Sequence, residues 1–300
     1  MLLLVLIFPL TGLTQTDKPG TKEEAKSRKQ TIKEKMEEAK IPRWDFGINF
    51  GTYFANKYTA NYYNGSDRNV NTISWVMTNK YWYDEIKLIL NAADRVTVKE
   101  IPTNMHYNVA LSGGLFFRYN FTHNWAMFVE FNYAQFKTDG LFTVQVDSAE
   151  YLTLQDLRLC GIHGREQRVN LDLGAHCRFP VYKKKMNLFL QAGMNVNYLK
   201  VLKSYINFNE HEYSIINIYG SQNYVPNSNL QEYQTIQGGF GYGLYASGGM
   251  GFTFSRQIGL EFGGYLNYSQ VALEGYKQFS PSEGIYIRFV LNNLFGKEEE

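Results

Sequence analysis

A chain of 300 residues can hold one large domain or two small ones, and a net charge of +2 supplies no global basic field of the kind nucleic-acid binding needs. Aromatic residues reach 16%, led by 23 Tyr and 21 Phe, beside 26 Gly and only 7 Pro, a composition suited to many strands joined by Gly/Asn loops. No run approaches the roughly 18 apolar residues of a transmembrane helix, and a mean hydropathy of −0.34 is what a membrane-spanning barrel shows when only alternate residues face lipid.

Residues 1–15 (MLLLVLIFPLTGLTQ) read as a signal peptide, with an apolar run from Met1 to Leu13 too short to cross a bilayer and cleavage expected after Gln15. The usual basic start is missing, and no Cys follows the run, so lipoprotein processing is not indicated. Residues 16–42 are a charged leader in which Glu and Lys/Arg spaced three and four apart support a short helix, with a thin apolar stripe of Ala25, Ile32, Met36 and Ala39. Two readings stay open: a solvated leader, or a helix that docks on a partner or plugs a barrel mouth. Pro42 ends any helix.

Beyond Pro42 the pattern switches to period two and recurs eight times. The segments centre on Trp44–Phe54, Tyr107–Tyr119, Trp125–Tyr133, Val169–Phe179, Leu188–Tyr198, Tyr242–Phe254, Ile258–Tyr268 and Ile285–Phe295. Each carries one apolar face with aromatics toward its ends, at the length of a tilted strand crossing a bilayer. Short connections (122–124, 182–185 and 255–257) alternate with long ones (56–105, 137–167, 200–238 and 270–283). The fold class is therefore all-β: a transmembrane antiparallel up-and-down barrel of about eight strands over residues 43–296, with both termini on the short-turn side and an acidic tail at 297–300. Runs such as Leu141–Val146 and Tyr213–Tyr219 leave open strands extended above the membrane or an extra hairpin, giving ten.

An eight-stranded barrel has no room for an open pore. The faces opposite the apolar ones carry Arg118, Glu130, Asp172, His176, Arg178, Glu261 and Arg288, which should form a salt-bridge network inside. Inward glycines, among them Gly249 and Gly263, should make room for Phe116, Phe128, Phe189, Tyr245 and Tyr265. Cys160 is expected in a loop and Cys177 on an outward strand face, so a disulfide is disfavoured.

No spacing supports a metal site, a phosphate loop, a nucleophile elbow or a dinucleotide fingerprint, and no cofactor is expected. A catalytic set would have to draw on His106, His163 or His211, with a Ser or Asp brought near by folding. The first long connection is the most distinctive: a tight turn at Asn64-Gly65, then near-helical apolar spacing from Ile73 to Leu90. It reads either as a cap folded onto the barrel or as a docking face, with Tyr62, Tyr63, Trp75, Tyr81 and Trp82 as the interaction candidates.

The first strand (WDFGINFG), the second (LSGGLFFRYNF) and this connection together resemble the outer-membrane β-barrels abundant in Bacteroidota, including the PorT-like group. The last strand, with Tyr286, Phe289 and Phe295, resembles the C-terminal sorting signal of bacterial outer-membrane proteins, although five residues follow it. Asp147-Ser148-Ala149 is similar to the short O-glycosylation motif of those bacteria, which would place sugar on Ser148. The resemblance implies an outer-membrane address and, for some members, service in protein secretion. The expectation is a non-enzymatic accessory or anchoring subunit of an envelope assembly, with the lipid bilayer, other envelope proteins and the outer-membrane assembly machinery as partners. A small-solute channel, or less readily a lipid-modifying enzyme, is the alternative.

Overall fold

A computed structural model describes residues 43–147, 156–182, 185–216, 237–255 and 257–292. The residues expected to form a signal peptide and leader, Ser148, Phe295 and the acidic tail lie outside the described residues.

Among the described residues, ten strands form one sheet: β1 (Trp44–Phe54), β2 (Val96–Glu100), β3 (Ala110–Asn120), β4 (Trp125–Val146), β5 (Asp156–Tyr182), β6 (Met186–Phe208), β7 (His211–Ser214), β8 (Gly238–Thr253), β9 (Ile258–Gln270) and β10 (Ser280–Asn292). Eight of them close a ring in the order β1-β3-β4-β5-β6-β8-β9-β10, sealed by antiparallel pairing of β10 with β1 from Asp45↔Asn292 to Phe54↔Glu283. Each of the eight overlaps one of the period-two segments, with β4, β5 and β6 running well beyond theirs. The other two, β2 and β7, pair only with the upper parts of β4 and β6.

The register fixes the shape. Directly paired residues run from Phe179 through Leu188, Met250, Phe262, Ile287, Phe50, Gly113 and Tyr133 to Val169, returning to β5 ten residues from the start. With ordinary strand spacings, that shear over eight strands gives a tilt of about 40° and a backbone radius of about 8 Å. The 11 residues of β1 then rise about 25 Å along the axis, the height of a hydrocarbon band.

The outer wall is apolar over that height, with Ile48, Phe50, Val129, Phe131, Leu190, Met194, Leu244, Ile287 and Phe289 all exposed. Trp44, Trp125 and Phe179 ring its short-turn edge, and Phe54, Tyr133, Tyr242 and Tyr268 its other edge. Aromatic girdles flanking an apolar band are what a bilayer selects. Gly249 makes room for an expected ring, since a Cβ there would lie 2.8 Å from Phe189; Gly263 makes room for one that was not expected, since a Cβ there would lie 2.7 Å from the Tyr286 ring.

Two expectations need correcting. The described parts of the connections at 137–167 and 200–238 are largely strand, because β4, β5 and β6 run 22, 27 and 23 residues, well past the upper girdle. Above it, β2-β4-β5-β6-β7 form a five-stranded wall. Cys160 consequently lies on β5 with its side chain buried, not in a loop. Cys177 sits 17 residues further along the same strand on the opposite face. At about 3.3 Å per residue, they are far beyond disulfide reach.

The first long connection forms α1 (Lys57–Ala60), a 3₁₀ turn (Asn61–Tyr63), α2 (Ile73–Thr78) and α3 (Lys80–Ile89). One residue divides α2 from α3: Asn79 closes α2 with its backbone N–H and caps α3 by accepting from Tyr81 and Trp82 N–H. Tyr62, Ile73, Val76, Ile86 and Leu90 then pack with Phe142, Val144, Ile162, Ile206 and Phe208 of the wall in one apolar core.

Candidate functional site: a charged lumen under a packed cap

The lumen narrows to a chain of alternating charges. Asp45 on β1 accepts from Arg118 on β3 at 2.9 Å; Arg118 donates to Glu261 on β9 at 2.7 Å. Glu261 accepts in turn from Arg288 on β10 at 2.9 Å, and Arg288 reaches Glu130 on β4. Asn49 ties the chain laterally by donating to Glu130 (2.8 Å) and accepting from Arg288 (2.7 Å). The Arg288 guanidinium also lies 3.6 Å from the centre of the Phe116 ring. Five ionised groups from five strands thus cross the ring with every neighbour of opposite sign. That arrangement lets low-dielectric burial strengthen the attractions rather than strand a charge.

The remaining predicted interior residues lie at the edges of this chain. His176 stacks on Phe189, approaches Arg118 through Nε2 at 3.3 Å, and meets Gln191 at 3.1 Å. Arg178 is 3.8 Å from Asp45. Asp172 differs: it pairs across strands with Glu130, accepts from Asn195 at 2.7 Å, and has no guanidinium within ion-pair distance among the described residues.

A second buried cluster fastens the cap. Glu166 and Arg168, both on the inner face of β5, pair at 2.6 Å. Glu166 accepts from the hydroxyls of Tyr63 (2.6 Å) and Tyr107 (3.0 Å), and Arg168 donates to Thr59 at 3.2 Å. Burial, reinforced by the neighbouring Glu166 carboxylate, raises the Tyr63 hydroxyl well above its ordinary pKa, so it stays a donor. Sequence reasoning missed Glu166 by assigning 137–167 to a loop and Arg168 by starting the next segment at Val169, and missed Asp45 and Asn49 although they alternate with Phe46, Ile48 and Phe50. Alternation of Phe142, Val144 and Val146, and then of Ile162, Glu166 and Arg168, carried the signal.

The loop candidates separate. Tyr62 and Tyr63, expected to be available to a partner, are buried at 1% and 0% exposure, because they form the floor of the cap; Tyr62 donates to Gln237 at 2.9 Å. Trp75 and Trp82 pack edge to face and are half-buried, whereas Tyr81 is exposed. Of the sorting-signal residues described, Tyr286 points inward to Ser247 at 2.8 Å and Phe289 faces outward.

On the outer face of the wall, His163 Nδ1 meets Asp139 at 2.6 Å, with Asn108 donating to the same carboxylate at 2.9 Å and Tyr205 stacked on the imidazole. Partial burial raises the Asp139 carboxyl, but hydrogen bonds from His163 and Asn108 outweigh it and hold the group below its ordinary pKa. Flanking His163 on the same face of β5 are Gly161 and Arg165. His106 and His211 do not join this pair in any hydrogen bond among the described residues. No group of three or more His, Cys, Asp or Glu side chains is placed to hold a metal among the described residues.

An apolar exterior, a charged filled interior and flanking aromatic girdles define a membrane-spanning eight-stranded β-barrel with an extramembrane cap. No protein-family model matches the chain, and no curated protein matches it. Among solved structures, it is similar to Neisserial surface protein A (8% identity over 83% of this chain and 95% of that one, TM-score 0.40). It is also similar to OprG from Pseudomonas aeruginosa (10%, 84% and 95%, TM-score 0.35) and to Ail of Yersinia pestis (11%, 83% and 98%, TM-score 0.33).

Proposed function

We propose that this chain is a non-enzymatic outer-membrane protein, with both termini in the periplasm, that serves as an accessory or anchoring subunit of an envelope assembly for protein secretion or outer-membrane biogenesis. The observation that carries the reading is the distribution of order. The lumen is crossed by an ion-paired chain, the mouth is sealed by a packed cap, and some of the largest exposed apolar side chains outside the bilayer band stand on the cap and wall, namely Leu88, Leu141 and Leu159. A filled barrel leaves its outer surfaces as the working part. The resemblance to the PorT-like group points the same way.

The test is affinity purification from membranes solubilised in several gentle detergents. Co-purification of defined envelope proteins, lost when Leu141 and Leu159 are changed to Ser, is the expected result. Recovery of the barrel alone in every detergent contradicts the proposal. Steady single-channel conductance in planar bilayers would favour the channel reading instead.

A further inference from the structure

The wall above the upper girdle carries cations on its outer face at one level. Lys137 on β4 pairs directly with Arg165 on β5, and Arg165 with Lys203 on β6; one row lower, Gln167 pairs with Gln135 and Lys200. Cross-strand partners share a face about 5 Å apart, so the four cations and two amides form one patch. Lys137, Lys200 and Lys203 are exposed and Arg165 half-exposed, and none of the four has an acidic partner within ion-pair distance among the described residues. The nearby carboxylate on this face, Asp139, is engaged by His163 and Asn108.

The height of the patch matters. At the tilt set by the register, each residue advances roughly 2.5 Å along the axis and each step across a strand roughly 3 Å. Lys137, Arg165 and Lys200 therefore stand at heights within a few ångström of one another, roughly 10 Å above Tyr133 and closer to the level of Tyr198. A lipid head-group layer extends about 5–8 Å beyond each face of the hydrocarbon core, and long basic side chains reach back toward it. Around the rest of the ring, the strands end soon after the girdle; Glu283 is the exposed charge on those strands, and the connections just past them add Lys57, Glu274 and Lys277, spread singly. The cations that stand side by side in directly paired rows are those on β4, β5 and β6, where the wall stands beside the head groups.

From this we infer that Lys137, Arg165, Lys200 and Lys203 form a docking ridge for a phosphate-bearing lipid head group in the leaflet at the long-loop end, with Gln135 and Gln167 hydrogen-bonding its polar groups. The inference rests on the membrane-spanning reading. Three cations within about 10 Å suit a head group with more than one phosphate, such as a phosphorylated glycolipid, better than a zwitterionic phospholipid.

The probe is diphosphoryl lipid A, measured by native mass spectrometry on the full-length protein released from mild detergent, with phosphatidylcholine as comparison. Wild type should retain lipid A in preference to phosphatidylcholine. K137Q/R165Q/K200Q should weaken lipid A binding on the order of a hundredfold, at about fivefold per cation near an anionic surface. A control that loses the same charge elsewhere, R68Q/K80Q/K99Q, should bind as wild type does. Equal lipid A binding by the triple variant and wild type overturns the inference, and so does complete displacement by inorganic phosphate at constant ionic strength, which would mark a free-phosphate site. If the triple variant does not fold, raising salt to roughly 0.5 M with wild type decides: screening should strip lipid A but not phosphatidylcholine, and salt-insensitive binding overturns the ridge. Failure of the membrane-spanning reading would appear separately, as a chain that does not insert into vesicles.

Discussion

Replacing Arg288 with Met probes the charged lumen most severely. The guanidinium is fully buried, donates to Glu130, Glu261 and Asn49, and lies over Phe116. Met restores much of the volume and none of the donors. Glu261 keeps Arg118, but Glu130 is left with amides and faces Asp172 directly across the strand pair. Breaking a buried ion pair from one side costs about 3–5 kcal/mol; here one removal strips one carboxylate of its cation and halves the support of another, so the upper part of that range is expected. R288M should therefore unfold from lipid vesicles at markedly lower urea than wild type, with an unchanged slope. R288M/E130Q removes the stranded charge and should recover at least half of the loss. A loss under about 1 kcal/mol for R288M, or no recovery in the double variant, would refute the view that alternating charges hold the lumen together.

Further outcomes follow from the same contacts. Asp172→Asn should be the mildest of the interior carboxylate changes by the same unfolding assay, because Asp172 has no cation partner among the described residues and an amide oxygen there can still accept from Asn195. Tyr63→Phe removes a hydroxyl that donates to buried Glu166, at a cost of about 1–3 kcal/mol; protease cleavage within 57–105 should speed up while the barrel band stays intact. Cys160, its thiol pushed by burial to about 11, should resist maleimide at pH 8 until the protein is unfolded, and no disulfide with Cys177 should form on oxidation. Asp139 has a lowered folded pKa, so its contribution is present above the ordinary carboxylate range and is lost as pH falls through the lowered value. An NMR titration of its carboxyl should give a midpoint below that of an unstructured Asp, moving up in His163→Gln.

Much of the barrel was legible in the sequence because lipid and lumen impose a strict alternation on every crossing strand. Arg118, Glu130, Asp172, His176, Arg178, Glu261 and Arg288 could be assigned to the interior from parity alone. Parity says which face a residue takes but not which partner it meets, so the order Asp45–Arg118–Glu261–Arg288–Glu130 needed the register. Above the membrane, the outward face turns polar at Gln135, Lys137 and Asp139. The lipid signal fades there while the strands continue, which is why β4 and β5 looked like loop. Tyr62 and Tyr63 looked like exposed recognition residues because only the folded cap shows that they face Glu166, Gln237 and the apolar core.

The most direct test of the central claim, a closed barrel with lipid outside and a filled polar lumen inside, is a nitroxide scan along the closing strand β10 in lipid bilayers. Oxygen accessibility should alternate with period two, high at Ile285, Ile287, Phe289 and Leu291 and low at Tyr286, Arg288 and Val290. Uniform accessibility, or high values at the second set, would contradict the account.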